Sequence, residues 1–233
     1  MKLGIMQPYF FPYVGYWQLI NAVDKYVIYD DVNYIKNGWI NRNYILLNGQ
    51  KHLITLPLDG SSPFKPIKET KIISKNVIKE KLLKTLAQAY QKTPHFKDVM
   101  PIVENTIMHP SNNITEALVY SIKSVAEYLN FKTDILVSSQ IEKNNELKGV
   151  DKVLHICGIL KADEYFNAIG GIDLYDKKIF SDNKIKLSFV RTGEFKYNQF
   201  NNNFIPNLSI IDVMMFNSRE KVKVYLDSFY TLL

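Results

Sequence analysis

One cysteine, Cys157, stands among 233 residues. An internal disulfide is therefore excluded, and a reducing, cytoplasmic compartment is expected. Long apolar runs are missing too. No stretch of about 18 uncharged apolar residues occurs, so neither a membrane-spanning helix nor membrane insertion is expected. The opening MKLGIMQPYF has no extended apolar core before a small-residue cleavage site, so no signal peptide is expected. His52, His95, His109 and His155 are scattered without metal-ligand spacing, which predicts no zinc site and no metal. His155 and Cys157 lie two apart in a helical stretch and do not share a face, so Cys157 reads as a buried structural thiol. G-x-S-x-G, the P-loop and G-x-G-x-x-G are all absent. Ser-His-Asp hydrolysis and Walker-type ATPase activity are left without support. RNP-type, zinc-finger and KH signatures are absent as well, so nucleic acid is not an expected partner.

What is present is a mildly basic chain with a large apolar fraction. Lys plus Arg number 29 against 23 Asp plus Glu, a formal charge of +6, and 46% of residues are hydrophobic. That suits one large domain with a real core. The lysines are densest at Lys65, Lys68, Lys71, Lys75, Lys79, Lys81 and Lys84. They read as a solvated helix face or as a patch for a polyanion.

The first thirty residues spell strand, loop, helix, strand. Residues 2–7 read as a short buried strand, and the prolines at 8 and 12 keep the next segment out of helix. Residues 14–23 have helical spacing, and 26–30 are β-branched and aromatic. This is the β-α-β unit of a parallel sheet, in which ligands sit at the carboxyl ends of strands. The loop from Gln7 to Gly15 and the pair Asp30-Asp31 lie at that edge. Further on, 44–47 and 52–56 form a hairpin about Asn48-Gly49. Helices are expected over 74–91 (capped by Ser74), 95–108, 115–129, 150–160, 209–216 and 220–232. Strands are expected over 135–137, 164–168 and 186–191, with Gly170-Gly171 as a turn. The fold class expected is α/β, a Rossmann-like and mainly parallel sheet with a helical middle segment. A single domain is expected over residues 1–233, with a site-forming half over about 1–60, a helical middle over about 70–130 and an α/β part over about 131–233.

Several residue groups could carry chemistry. Strand side chains alternate, so Asp30 and Asp31 cannot both face one side. One of them points to a site, where Asp30 or Asp31 could orient a ligand amine, bind a hydroxyl, hold a metal or act as a catalytic base, and the other caps a loop; an ordinary polar strand end is the alternative. In KNGWINRN, Arg42 offers a planar fork and Lys36 a charge for phosphate or carboxylate, Trp39 offers a stacking face, and Asn41 offers a paired donor and acceptor. The same stretch could be an ordinary polar hairpin. Gln7, Tyr9, Tyr13 and Tyr16 surround the first loop. Asn167, Gly170 and Gly171, in FNAIGGIDLY, allow a close backbone approach or simply end an edge strand. In FIPNLSIIDVMMFN, Ser209 reads as a helix cap with Asp212 at the third position, a structural arrangement.

The stretch MQPYFFPYVGYWQLINAVDKYVIYDDVNYIKNGWINRN resembles the start of the WbqC-like family, and NAIGGIDLY and FIPNLSIIDVMMFN resemble its later motifs. The likeness runs from Met1 to about Asn217. It implies a place in O-antigen and other surface-polysaccharide biosynthesis. It further implies transfer of an acyl group, glycyl or another aminoacyl, to the amine of a nucleotide-linked amino sugar. The partners would be that sugar nucleotide and an activated acyl or amino-acid donor, with aminoacyl-tRNA as one form of donor. A non-catalytic sugar-nucleotide-binding or assembly protein of the same pathway is the alternative. A more distant resemblance is to adenylyl-transferring Rossmann enzymes with an H-x-G-H motif, where histidines hold ATP phosphates at a helix N-terminus. Tyr13 and Tyr16 stand at those positions, and tyrosine cannot be cationic. That route lacks its cations here, and ATP otherwise remains open as a cofactor, to form an acyl-adenylate if the donor is a free amino acid.

Overall fold

The structure, a computed structural model, describes residues 1–200 and 203–233. The chain runs β1 (Lys2–Met6), α1 (Val14–Asn21), β2 (Lys25–Ile28), β3 (Arg42–Leu47), β4 (Gln50–Thr55), β5 (Leu58–Asp59) and β6 (Lys71–Ile72). Three helices follow, α2 (Asn76–Tyr90), α3 (Phe96–Ile107) and α4 (Ile114–Tyr128). Then come β7 (Asp134–Val137), α5 (Gly149–Leu160), β8 (Glu164–Ala168), α6 (Lys177–Asp182), β9 (Lys186–Thr192), α7 (Ile210–Phe216), α8 (Arg219–Ser228) and β10 (Tyr230–Leu232).

Six strands form one sheet in the order β10-β9-β8-β1-β2-β7, parallel except for β10. Read from β7, that is the doubly wound Rossmann order, with the switch point between β1 and β8. Leu3 and Ile5 of β1, Val27 of β2 and Tyr165 of β8 pack under α5 and α6 with Cys157 and Phe180. The opposite face carries Tyr26, Ile28 and Phe166 and joins a larger core with α1, the β3-β4 hairpin, α2 to α4, α7 and α8. Gly4 makes room for the Tyr26 ring of the neighbouring β2, because a Cβ at that position would stand 3.1 Å from it. Asn48 and Gly49 both take positive φ, 51° and 76°, as the two-residue hairpin turn requires.

Three expectations change. The terminal helix stops at Ser228, and residues 230–232 form β10 against β9, with Leu233 and Phe189 exchanging backbone bonds. Pairing the edge of β9 satisfies backbone groups that a longer helix would leave bare. α2 starts at Asn76, not after Ser74, because β6 and the bond from Ile73 N–H to Pro57 O hold the chain extended to that point. Gly170 and Gly171 fall within a 3-10 turn, Ile169–Leu174, that leads to α6, the crossover helix unforeseen between parallel β8 and β9.

Candidate functional site

The loop leaving β1 is held from all sides. Phe10 and Phe11 are buried, and Phe11 takes φ 41°. The Asn43 amide donates to Phe10 O and Phe11 O at 3.2 and 2.8 Å, and Ser209 Oγ donates to Phe11 O at 2.7 Å. Trp17 Nε1 donates to Pro12 O at 3.0 Å, and Phe10 N–H to Trp39 O at 2.9 Å. The proline-aromatic cluster is thus a rigid rim whose carbonyls are tied down by side chains distant in sequence. Tyr16 lies inside it, fully buried, donating to Gln7 O at 3.0 Å, and burial drives its pKa up. Gln7 itself is half-buried, and its Oε1 is buried without a partner among the described residues. Tyr13 folds over Gly15 beside Thr192, so a Cβ at Gly15 would come within 2.6 Å of the tyrosine hydroxyl. Neither tyrosine presents a cation to a phosphate at the start of α1, so ATP binding by the H-x-G-H route has no support in these side chains.

The aspartates part as strand alternation requires. Asp31 turns to the α5 side. Lys143 and Lys152 meet its Oδ2 at 2.8 and 3.1 Å, and Ser138 Oγ donates to its Oδ1 at 2.7 Å. The lysine side chains are 1% and 6% exposed, and that of Asp31 is 5% exposed. Burial would raise the Asp31 pKa, but the bonds from Lys143, Ser138 and Lys152 outweigh it and hold the carboxyl below its usual range. Lys143 Nζ also donates to Ser138 O and Ile141 O, and Lys152 Nζ to Asp31 O while lying over the Tyr29 ring. This cluster locks β2, β7 and α5 together.

Asp30, 1% exposed, turns to the opposite side. Its Oδ1 and Oδ2 accept from Ser139 N–H and Oγ–H at 2.9 and 2.7 Å. A carboxylate has about four lone-pair sites, so two remain. Asp30 borders an open cavity of about 520 Å³ at the carboxyl ends of β2 and β7, with Lys68, His109, Asn113, Thr115, Glu116, Tyr120, Lys123 and Ser139. His109 Nδ1 accepts from Ser111 N–H, which leaves Nε2 as the donor of the neutral ring. Neither Lys68 nor Lys123 has an acidic partner among the described residues.

The segment after Asp31 divides. Asn41 is buried, accepting from Tyr34 Oη at 2.8 Å and donating to Leu56 O at 2.8 Å. Arg42 wraps its own loop, donating to Gly38 O and to Asn37 O and Oδ1. Both side chains hold the segment that presents Trp39. Lys36 is exposed. Trp39 joins Tyr9 and Tyr13, with Pro12, Asn43 and Asn207, around a cleft of about 380 Å³. Past Asn207 and Tyr13 opens another cavity of about 550 Å³ that includes Thr192, Glu194, Phe195, Lys196 and Tyr197. At the switch point, Gly171 lies against Asn167, whose Nδ2 would be 2.6 Å from a Cβ there, while Gly170 is exposed.

Of the residues expected at the site, Tyr9, Tyr13 and Trp39 therefore meet in one cleft. Asp30 opens on a different cavity, and Asp31, Asn41, Arg42 and Tyr16 are engaged with the protein. Gln7, Asn167, Gly170 and Gly171 flank the switch point, and Lys36 stands outside. The neighbours of Asp30 went unforeseen as a group: Lys68 was legible only as one of a lysine run, His109 only as a scattered histidine and Ser139 only as a strand end.

A family model described as WbqC-like protein family matches residues 7–224. The chain belongs to this family. Membership supports a role in polysaccharide biosynthesis. The chain is also similar to a Mycobacterium tuberculosis protein named "Uncharacterized protein Rv1507c", 26% identical over 228 residues and covering 97% of each chain. No solved structure matches. No helix among the described residues is long and apolar enough to cross a membrane.

Proposed function

We propose that this WbqC-like protein is a cytoplasmic transferase of surface-polysaccharide biosynthesis that places an acyl group, glycyl or another aminoacyl, on the amine of a nucleotide-linked amino sugar. The observation that carries the reading is Asp30, a carboxylate with free lone pairs bordering a cavity that also holds Lys68, Lys123 and His109. In the step, the neutral amine attacks the acyl carbon and the C–N bond forms. The bond to the donor's leaving group breaks, and that group departs with the electron pair. Asp30 takes the ammonium proton as general base. Lys68 and Lys123 hold the anionic part of the sugar nucleotide. The donor is one already activated, a thioester, an acyl-adenylate or an aminoacyl-tRNA.

The test is Asp30→Asn. Turnover of the amino sugar nucleotide, followed by mass spectrometry of the amide, should fall by about 10²–10⁴ while binding changes little. Parallel losses in binding and turnover, or no loss, would refute the base. A non-catalytic sugar-nucleotide-binding protein is the second reading. One observation favours it: both Asp30 oxygens already accept from Ser139, as suits a carboxylate that only grips a ligand amine.

A further inference from the structure

We propose that the cleft walled by Tyr9, Tyr13 and Trp39 is a saccharide subsite that takes one neutral pyranose ring, separate from the Asp30 cavity. This does not rest on the Asp30 chemistry. The protein has two tryptophans, and their placements differ. Trp17 is fully buried, whereas Trp39 is 41% exposed. Covering the exposed part of that ring would be favourable. Trp39 is also held in place. Its carbonyl accepts from Phe10 N–H at 2.9 Å, and its ring stands edge-to-face on Tyr44 at 5.8 Å. Tyr9 is braced against Tyr16 at 5.5 Å. Tyr13 is seated over Gly15 beside Thr192.

The chemistry of the walls selects the ligand. Tyr9, Pro12, Tyr13, Trp39, Asn43 and Asn207 include no ionisable acid or base other than the tyrosine phenols, whose pKa burial raises further in Tyr9 and Tyr13. A charged group would find no counter-ion there. The Asn43 amide nitrogen is engaged by the loop carbonyls, and its oxygen accepts from Tyr44 N–H. Asn207 takes positive φ, 59°, at the junction of this cleft with the larger cavity, and its amide makes no side-chain hydrogen bond among the described residues. Aromatic faces plus one amide and phenolic rims match a ring with an apolar C–H face and a girdle of hydroxyls. The volume, about 380 Å³, falls within the range of small-molecule sites, roughly 300–1,000 Å³.

The buried Trp17 makes Trp39 the solvent-facing fluorophore. Titration with methyl glucoside, methyl galactoside and methyl N-acetylglucosaminide should change Trp39 emission saturably for at least one of them. Saturation-transfer NMR should mark that sugar's ring C–H protons. Trp39→Ala should weaken binding, read by the NMR signal, by about tenfold or more, Asn207→Ala should weaken it too, and Trp39→Phe should retain it. Thermal melts of each variant check folding. Silence of every pyranoside in both readouts overturns the proposal. So does an undiminished signal in folded Trp39→Ala. A response to uridine or adenosine alone would make this a base site and equally overturn it. Binding that vanishes in Asp30→Asn would overturn the separateness, whereas lost turnover with intact pyranoside binding supports it.

Discussion

Replacing Asp31 should expose how tightly the carboxyl edge is locked. Asp31→Asn keeps the shape of the side chain and removes its charge, leaving two lysines, 1% and 6% exposed, with no carboxylate between them. Removing one partner of a buried ion pair costs about 3–5 kcal/mol, because the surviving charge stays desolvated. Here two charges survive, at 2.8 and 3.1 Å from the lost oxygen, and repel each other. For a chain of this size that corresponds to a fall in melting temperature of roughly 6–20 °C. Urea denaturation and calorimetry at pH 7 measure it. Adding Lys152→Met should recover part of the loss by removing one stranded cation. The pH dependence follows from the same contacts. The folded Asp31 pKa lies below its unfolded value, so its contribution is present above an unfolded pKa of about 3.9 and is lost as pH falls through the folded value. Asp31→Asn should flatten that acid limb. A loss below about 1 kcal/mol at pH 7, well short of the cost of stranding a buried charge, would refute the reasoning.

Three further outcomes can be checked. Tyr90→Phe removes a hydroxyl that donates to Asp212 at 2.8 Å and accepts from Leu46 N–H at 3.0 Å; the two buried orphans should cost about 2 kcal/mol or more in urea denaturation. Gly15→Ala should displace Tyr13 and Thr192, because the new Cβ would lie 2.6 Å from the tyrosine hydroxyl and closer still to Thr192 Oγ1, and should weaken ligand binding in the Trp39 cleft. Burial pushes the Cys157 thiol up to about 12, so at pH 8 a thiol reagent should label the unfolded chain and leave the native one unreacted over the same time.

The β-α-β opening was legible because both of its signals are local. Residues 14–23 repeat with helical spacing, and the strand read over 26–30 opens on the aromatic and β-branched run Tyr26 to Tyr29, matching α1 and β2. The hairpin about Asn48-Gly49 was legible for the same reason, since two residues specify the turn. Ser209 as a cap was local too, accepting from Ile211 N–H. Asp212, three positions into that helix, was readable as a structural carboxylate but not as the acceptor of Tyr90, Tyr197 and Gln199, whose bonds it gathers in the core. β10 was not legible, because residues 230–232 become a strand only when β9 offers them an edge.

The candidate site divides along the same line. That Asp30 and Asp31 face opposite ways follows from the pleat of any strand and needs nothing else. Which of them lines the cavity, and which is held by lysines, depends on Lys152, 121 residues from Asp31, and on the serines at the end of β7, more than a hundred residues from the pair. That a proline-aromatic loop occupies the sheet edge was evident from the order of residues. That it is rigid, and that Tyr9 and Tyr13 meet Trp39 while Arg42 and Asn41 turn inward, was settled by Asn43, Ser209 and Trp17 reaching the loop's carbonyls. Periodicity and turn chemistry operate over a few residues and survive in the bare sequence. Charge pairing and cavity walls are made between distant segments, so only the folded chain decides them.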